Sequence, residues 1–453
     1  MKHFQLKPLV AASQAAYFEN DNSALIPEFW AMESLLQLTK LSVYPWLVYR
    51  DFENVLAQQG QVVNAHRPAE FVVTRKGLTD DVVVQDAKAD TVPVVLNQHL
   101  VTSFLIRDGE ESKSMTDLID YYLAPAIRAL SEGLDKVLAA QVYKFLRNSV
   151  GKLGTTPTAA TLSQAKAKMT NQRVPVVGRT NVLTANTEAS LMSQDLFIGA
   201  QMVGDDGTAM REGSLGRKFG ANNITDIATP SVFGQTAGLT KVVSNTGGYP
   251  KGYTGAITLV TGTAHALHAV LTIAGSIYTV KASTATSVTL NEPLREAIPD
   301  ATNIYQVQEA TVTNAYAAGW LKPIAITGLR GEVGEAVRDI AGNVYTVIQV
   351  NADGTVLFDL PLVNAFTAGQ KLGVYPDGEY NFCFHQHALA LVCRPLAAPK
   401  EGSGAISAVV EHDGLSLRVV IAYIPEKQGH MVTIDMLAGV TVLDERLGTV
   451  LLA

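Results

Sequence analysis

Cysteine is nearly absent. The 453 residues hold two, Cys383 and Cys393, too few for a disulfide framework and in keeping with a reducing compartment. Charge is scarce as well: Asp, Glu, Lys and Arg make up 17% of the chain, where a globular protein carries nearer a quarter. Part of the surface is therefore expected to lie against other copies of the chain. The net charge is −7, so no global basic field draws the protein onto nucleic acid. No run approaches about 18 uninterrupted apolar residues, which argues against a membrane-spanning helix. The opening MKHFQLKPLVAASQAAYFEN has no continuous apolar core followed by a cleavage pattern, which argues against a signal peptide.

Catalytic motifs are missing too. There is no Gly-x-Ser-x-Gly, and the nine histidines lack a context that would pair a nucleophile with a base. The Gly-rich stretch 204–220 does not end in the Gly-Lys-Ser/Thr of a phosphate loop. Asn351 to Thr355 begins like a calcium loop but lacks the acidic residue at the loop end, and reads as a hairpin turn. Cys383, His385 and His387 alternate. On a strand they would share a face and could offer three zinc ligands; on a helix they would splay apart. Their spacing matches no zinc motif, and they read as ordinary partly buried residues. Lys and Arg are dispersed apart from Arg75-Lys76 and Arg217-Lys218. No catalytic residue, cofactor or metal is assigned, and no enzyme is expected.

What is present is a sequence of contrasting blocks. Residues 1–56 lean helical: Pro27 suits a first helical turn, and Phe29, Trp30, Met32, Leu35, Leu36 and Leu38 recur near helical spacing until Pro45 interrupts. An aromatic-rich segment of this kind needs a surface to lie on, expected to be a neighbouring subunit contacted by Phe29 and Trp30. From Gly60 to Arg107 the pattern alternates, predicting a long projecting hairpin, polar on both faces, with Arg75, Lys76 and Gly77 near its tip in contact with a neighbour. Ser114 and Asp117 then make a capping-box-like start. A helical pattern follows from Leu118 to Phe145 and stops at Gly151, roughly 50 Å at 1.5 Å per residue, with a kink expected at Pro125. Residues 155–235 read as mixed α/β, with helices in TLSQAKAKMTNQ and NTEASLMSQDLF, the latter capped by Asn, and a strand in RTNVLTA.

The centre of the chain is doubled. AVLTIAGSIYTV (269–280) and AVRDIAGNVYTV (336–347) are near-copies, and SVTLNEPL (287–294) matches TVLFDLPL (355–362) at an offset near 68. Two units are too few for a solenoid. They are expected to pack face to face as one inserted β-domain over 239–378 with a continuous core. Strand patterns resume in YNFCFHQHALALVCRPLAAP and SLRVVIAYIPEKQGHMVTIDMLAGVTVL, with a short helix expected after Asn381.

Four stretches resemble one family as a set: RDFENVLAQQGQVVNAHRPAEF (50–71), TVPVVLNQHLVTSFLIRDGEESKSMTDLIDYYLAPAIRALSEGLDKVL (91–138), YTVIQVNADGTVLFDLPL (345–362), and YNFCFHQHALALVCRPL (380–396) with the strands at 416–443. The order of elements resembles the major capsid protein of tailed double-stranded DNA phages, of the Hong Kong 97-type fold, and is most similar to the Salmonella short-tailed-phage coat family with its inserted β-domain. The resemblance implies an α+β fold. It places an N-terminal arm over 1–56, an extended β-hairpin loop over 57–107, a spine helix and peripheral domain over 108–175, and an axial domain over 176–238 and 379–424. The insertion spans 239–378, and return strands of the peripheral domain span 425–453. It also implies self-assembly through pentamers and hexamers in the bacterial cytoplasm into an icosahedral virion shell. Portal and scaffolding proteins would be partners, and double-stranded DNA would be enclosed without sequence-specific binding. A nanocompartment shell of the encapsulin kind, or a phage decoration or tail protein, are the alternatives. The doubling of the insertion departs from the family's pattern.

Overall fold

The computed structural model describes residues 25–50, 60–67, 90–107, 119–198, 213–400 and 404–453, with 71, 73–78, 81, 82, 84 and 85 between them. Helix α1 (Leu25–Leu41) buries Trp30, Ala31, Ser34, Leu35 and Leu38, the i, i+4, i+8 stripe of a helix lying on a core. Strands β1 (Val62–Arg67) and β2 (Asp90–Val95) form an antiparallel pair, and β3 (Gln98–Arg107) follows directly. Helix α2 (Ala124–Ala140) buries Ile127, Leu130, Leu134, Val137 and Leu138 along one face.

The long helix expected to run on to Gly151 is shorter. Its α-helical part has 17 residues, roughly 25 Å. A π turn at Ile119–Leu123 precedes it, and residues Gln141–Asn148 wind as a tighter 3-10 helix. Pro125 sits in the first turn, where its missing N–H costs little, so it marks the start and not a mid-helix kink. At the other end Gln141 is held from outside the helix, its Nε2 donating to Asp359 Oδ2 at 3.1 Å as well as to Val137 O. Ser114 and Asp117, the expected start, lie outside the described residues.

Next come β4 (Ser149–Gly151), α3 (Ala159–Asn171), β5 (Arg179–Leu183), α4 (Ala185–Met192), the one-turn α5 (Asp195–Ile198), β6 (Arg217–Lys218), β7 (Ala221–Thr225) and β8 (Ser231–Val232). The cap of α4 is Thr184, whose side chain accepts from Thr187 N. Asn186, the expected cap, donates instead to Glu379 Oε1 at 2.9 Å.

Twelve short strands make up the doubled block. The first six are β9 (Ala237–Val242), β10 (Ile257–Thr258), β11 (Val270–Ile273), β12 (Ser276–Ser283), β13 (Ser287–Leu290) and β14 (Asn303–Val307). The second six are β15 (Ala310–Val312), β16 (Ile326–Thr327), β17 (Ala336–Arg338), β18 (Val344–Val350), β19 (Val356–Phe358) and β20 (Lys371–Val374). The first set pairs in the order β10-β13-β12-β11-β14-β9. The Val243↔Leu259 bridge then brings β9 back to β10. The second set pairs as β16-β15-β20-β17-β18-β19, and the Ile324↔Val356 bridge brings β19 back to β16. Followed from the second strand of each set, both rings run second, fifth, fourth, third, sixth, first. The block is thus two closed six-stranded antiparallel barrels of one topology.

Their cores are separate. Val243, Leu271, Tyr278, Val288 and Ile304 belong to one buried cluster, and Val312, Tyr345, Val347, Phe366 and Leu372 to another, with no residue in common. The expected single β-domain with a continuous core is therefore corrected. Closing each ring satisfies its own edge strands, so neither copy needs the other to bury its backbone. Two residues, Gln308 and Glu309, connect them.

The chain then re-enters the body through β21 (Gly378–His385), β22 (Leu389–Arg394), β23 (Ala405–His412), β24 (Leu415–Ile424), β25 (Gly429–Val442) and β26 (Gly448–Leu452). Two sheets result. In one, β25 pairs with β3 from Gly429↔Arg107 to Ala438↔Gln98 on one side, and with β24 and then β22 on the other, with β23 beyond β24. Helices α1 and α2 pack on this sheet. The second sheet runs β4-β26-β21-β5-β7-β6, with β8 also on β21. Alternate residues of β21 divide its faces: Cys383 joins Leu162, Met169, Leu191 and Leu451 under α3 and α4, while Phe382 and Phe384 join Phe145 and Val450. This partition corrects the expected boundaries. Residues 389–424 belong with β25, and the last strand, 448–452, belongs with β21, so 379–424 and 425–453 are not separate units. Alternation identifies a strand; it does not name the neighbour that completes its hydrogen bonds.

Candidate assembly surfaces

Between β1 and β2 the described residues include exposed apolar side chains: Val73 is 96% exposed, Leu78 fully exposed, and Phe71, Val82 and Val84 at least 64%. Arg75, Lys76 and Gly77 lie among them and are exposed. The expectation of two polar faces missed this apolar content. Uncovered apolar side chains on an extended segment mark a surface meant for a partner, and a basic pair beside them adds an electrostatic handle.

Of the two residues placed by sequence at a neighbour on the helical side, Trp30 is corrected. It is 2% exposed and stacks on Phe104 at 6.2 Å, and Phe104 stacks on Tyr122 at 5.8 Å. The surface that α1 lies on is the chain's own β23, β24 and α2. The side chain of Phe29 lies outside the described residues. What α1 leaves uncovered is its other face, Met32 and Leu36, one helical turn apart. Their signal in the sequence was an apolar stripe too wide for one buried face.

The alternating triad is taken apart by the fold. Strand β21 is extended as far as His385, so Cys383 and His385 share a face. Cys383 is buried in apolar surroundings that push its thiol up to about 12. His385 is buried, its Nδ1 accepting from His387 N at 3.3 Å, while His387 sits exposed on the following turn. Cys393 lies in the other sheet, 3.9 Å from Met436 Sδ. Among the described residues no three His, Cys, Asp or Glu side chains are grouped to hold a metal ion. Asn351 to Thr355 closes a hairpin, with Asn351 N donating to Thr355 O at 2.9 Å and Asp353 Oδ1 accepting from Thr355 N and Oγ1. Among the described residues no helix is long and apolar enough to cross a membrane.

Buried polar joints hold the body together. Asp135 of α2 accepts from Val43 N and Tyr44 N, at 3.2 and 3.1 Å, fixing the end of α1 to the helix; Tyr44 Oη meets Thr229 Oγ1 at 3.1 Å. Burial, aided by the nearby Asp226 charge, pushes the Asp135 carboxyl up to about 7. In the second sheet Glu379 accepts from Thr184 Oγ1, Thr187 Oγ1 and Asn186 Nδ2. These groups clamp elements together.

No family profile matches the chain, and no curated protein matches it. Among solved structures it is similar to one from Mycobacterium phage Che8, with 13% identity, a TM-score of 0.42, and coverage of 90% of each chain. It is also similar to a capsid structure of the cyanophage P-SCSP1u, with 12% identity and a TM-score of 0.44, covering 99% of this chain and 92% of the other. A virus-like particle from Pyrococcus furiosus is a third, with 8% identity, a TM-score of 0.33, and coverage of 94% and 99%.

Proposed function

We propose that the chain is the major capsid protein of a tailed double-stranded DNA phage, a structural subunit of Hong Kong 97-type architecture and not an enzyme. The observation that carries this reading is the loop between β1 and β2, whose apolar side chains stand exposed while the body behind it is fully cored. A lone subunit has no use for such a segment; a shell in which each subunit overlaps the next does. On this reading the helix braced on a five-stranded sheet and the second α/β sheet would be the spine, peripheral and axial parts of that architecture. The doubled barrels fit an insertion: β8 and β21, on either side of the block, are paired neighbours at Gly378↔Val232, so residues 233–377 leave and return at one point of the surface. On this reading the block would be the counterpart of the inserted domain of the Salmonella short-tailed-phage coat family, here in two copies. Pentamers and hexamers of the chain, with portal and scaffolding proteins as partners, would assemble in the host cytoplasm. A net-negative wall would enclose DNA without gripping it.

Electron microscopy of the overexpressed protein, alone and with a scaffolding protein, is the test. Closed shells or tubes built from rings of five and six are expected; a stable monomer at every concentration overturns the proposal. DNA inside particles from infected cells, as against packed enzyme, separates a phage shell from a nanocompartment. Reversing Arg75 and Lys76 to Glu should abolish shells while leaving the subunit's melting temperature within a few degrees, because neither side chain supports the core.

A further inference from the structure

The end of the spine and both barrels meet at a cleft of about 470 Å³. Lys144, Arg147, Arg295 and Arg338 line it, against Glu292 and Glu445. In a chain of net charge −7 this is a local reversal of sign. Glu292 accepts from Thr279 N and Oγ1 at 3.0 and 2.9 Å, and only its charge, with no hydrogen bond, reaches Arg295. The basic side chains bond to neutral oxygens: Lys144 Nζ to Gln141 Oε1, Arg295 Nη2 to Leu146 O, and Arg338 Nη1 to Leu267 O. Arg295 Nη1 is buried and has no partner among the described residues. A guanidinium keeps its charge under all ordinary conditions, so a buried N–H without an acceptor is a cost that an anion would remove.

The duplication shows that the barrel fold does not ask for these arginines. Arg295 N donates to Tyr278 Oη in the first barrel, and Val363 N donates to Tyr345 Oη in the second, so the two residues are equivalent. Arg338 likewise stands where the first copy has Thr272: it faces Val344 across its hairpin as Thr272 faces Ile277. Each barrel therefore carries one arginine that its twin replaces with an uncharged residue, and both arginines line the same cleft.

We propose that this cleft binds an oxyanion of the phosphate class, held by charge-assisted bonds from Arg295 and Arg338 with Arg147 at the exposed rim. Its size accommodates a diphosphate as well as a single phosphate. The test titrates inorganic phosphate and pyrophosphate into the full-length protein at ionic strength held constant with KCl, read by calorimetry and by melting temperature. Saturable binding with a concentration-dependent rise in melting temperature is expected. Arg147→Gln, and Arg338→Thr with the residue of the twin barrel, should each weaken binding about tenfold. If Arg338→Thr fails to fold, the exposed Arg147→Gln decides. A DNA oligonucleotide that displaces pyrophosphate assigns the site to a nucleic-acid backbone, and one that does not assigns it to free anions; both are phosphate chemistry. A response to phosphate no larger than to KCl, or binding unchanged in the variants, overturns the proposal.

Discussion

The two barrels share a frame and differ in how they are moored. Tyr249 Oη accepts from Thr258 N in the first, and Tyr316 Oη accepts from Ala325 N in the second. Tyr278 and Tyr345 repeat the pattern with Arg295 N and Val363 N. Thr279 N donates to Glu292, and Thr346 N to Asp359. These side-chain bonds within a ring are thus kept in both copies. Outside the ring the likeness ends. The first barrel is tied to the body by Arg295 on Leu146 O, by Leu153 N on Gly275 O, and by a half-exposed ion pair of Lys152 with Glu296. The second is moored through buried groups: Asp359 takes Gln141 Nε2 on its side chain and Gln98 Nε2 on its backbone oxygen, and Tyr143 Oη donates to Gly334 O at 2.7 Å. The polar ties of the second copy to the body are buried, and those of the first are part-buried or half-exposed.

The largest effect expected from this comparison is on independence. Because the cores share no residue and each ring is closed, residues 236–308 and 309–376 expressed separately should each give a β-type circular dichroism spectrum and a cooperative melt. One of them should not need the other. If either half is unfolded alone while the joined block 236–376 melts as one unit, the two-barrel picture fails and the single continuous domain returns.

The mooring itself can be broken on one side at a time. Asp359→Ala strands the buried Thr346 N and Gln141 Nε2, at about 1–3 kcal/mol for each unmet donor, so a loss of roughly 3 kcal/mol is expected. Glu296→Ala removes only the half-exposed ion pair with Lys152, and less than about 1 kcal/mol should be lost. Chemical denaturation of the full chain measures both. Equal losses would show that the two copies are moored alike. The charge state sharpens the contrast. Burial pushes the Asp359 carboxyl up, to about 6 from 3.8, against the pull of Thr346 N and Lys144. An acid with a raised folded value holds its proton more tightly when folded, so its contribution is full below about pH 4 and declines as pH rises to about 6. The expected decline is on the order of 3 kcal/mol. Asp359→Asn should flatten that slope, whatever constant offset it brings.

How far the sequence disclosed this architecture depends on which interactions are local. The doubling was legible because Ala269–Val280 and Ala336–Val347 repeat residue by residue, and the hairpin turn at Asn351–Thr355 because its bonds lie within five residues. The basic pair at the loop tip was legible as exposed. Ring closure was not, since it hangs on bridges such as Ile324↔Val356 between strands of two or three residues. Trp30 was misplaced because aromatic content at a terminus does not reveal that Phe104, 74 positions on, offers it a stacking partner within the chain. The end of the spine was misjudged because Gln141 is gripped by Asp359, 218 residues away. The cleft arginines carried no motif at all; they stand out only when the two copies are superimposed and found to disagree.

The smallest effect tests what the copies share. Tyr249→Phe and Tyr316→Phe each remove the acceptor of one backbone N–H, that of Thr258 and of Ala325, bonded at 2.6 and 2.8 Å. Both rings keep their apolar packing, Tyr249 against Tyr253 and Tyr316 against Trp320, so the change isolates the hydrogen bond. A neutral bond of this kind contributes about 1 kcal/mol, and the two losses should agree within about 0.5 kcal/mol because the geometry is the same. Since the residues sit in cores with no common member, the double variant should lose the sum, as independent sites do. Denaturant melts of the two single variants and the double variant complete the cycle. A coupling above about 0.5 kcal/mol would mean that strain passes from one ring to the other, and that the barrels, though closed separately, are stabilised as a pair.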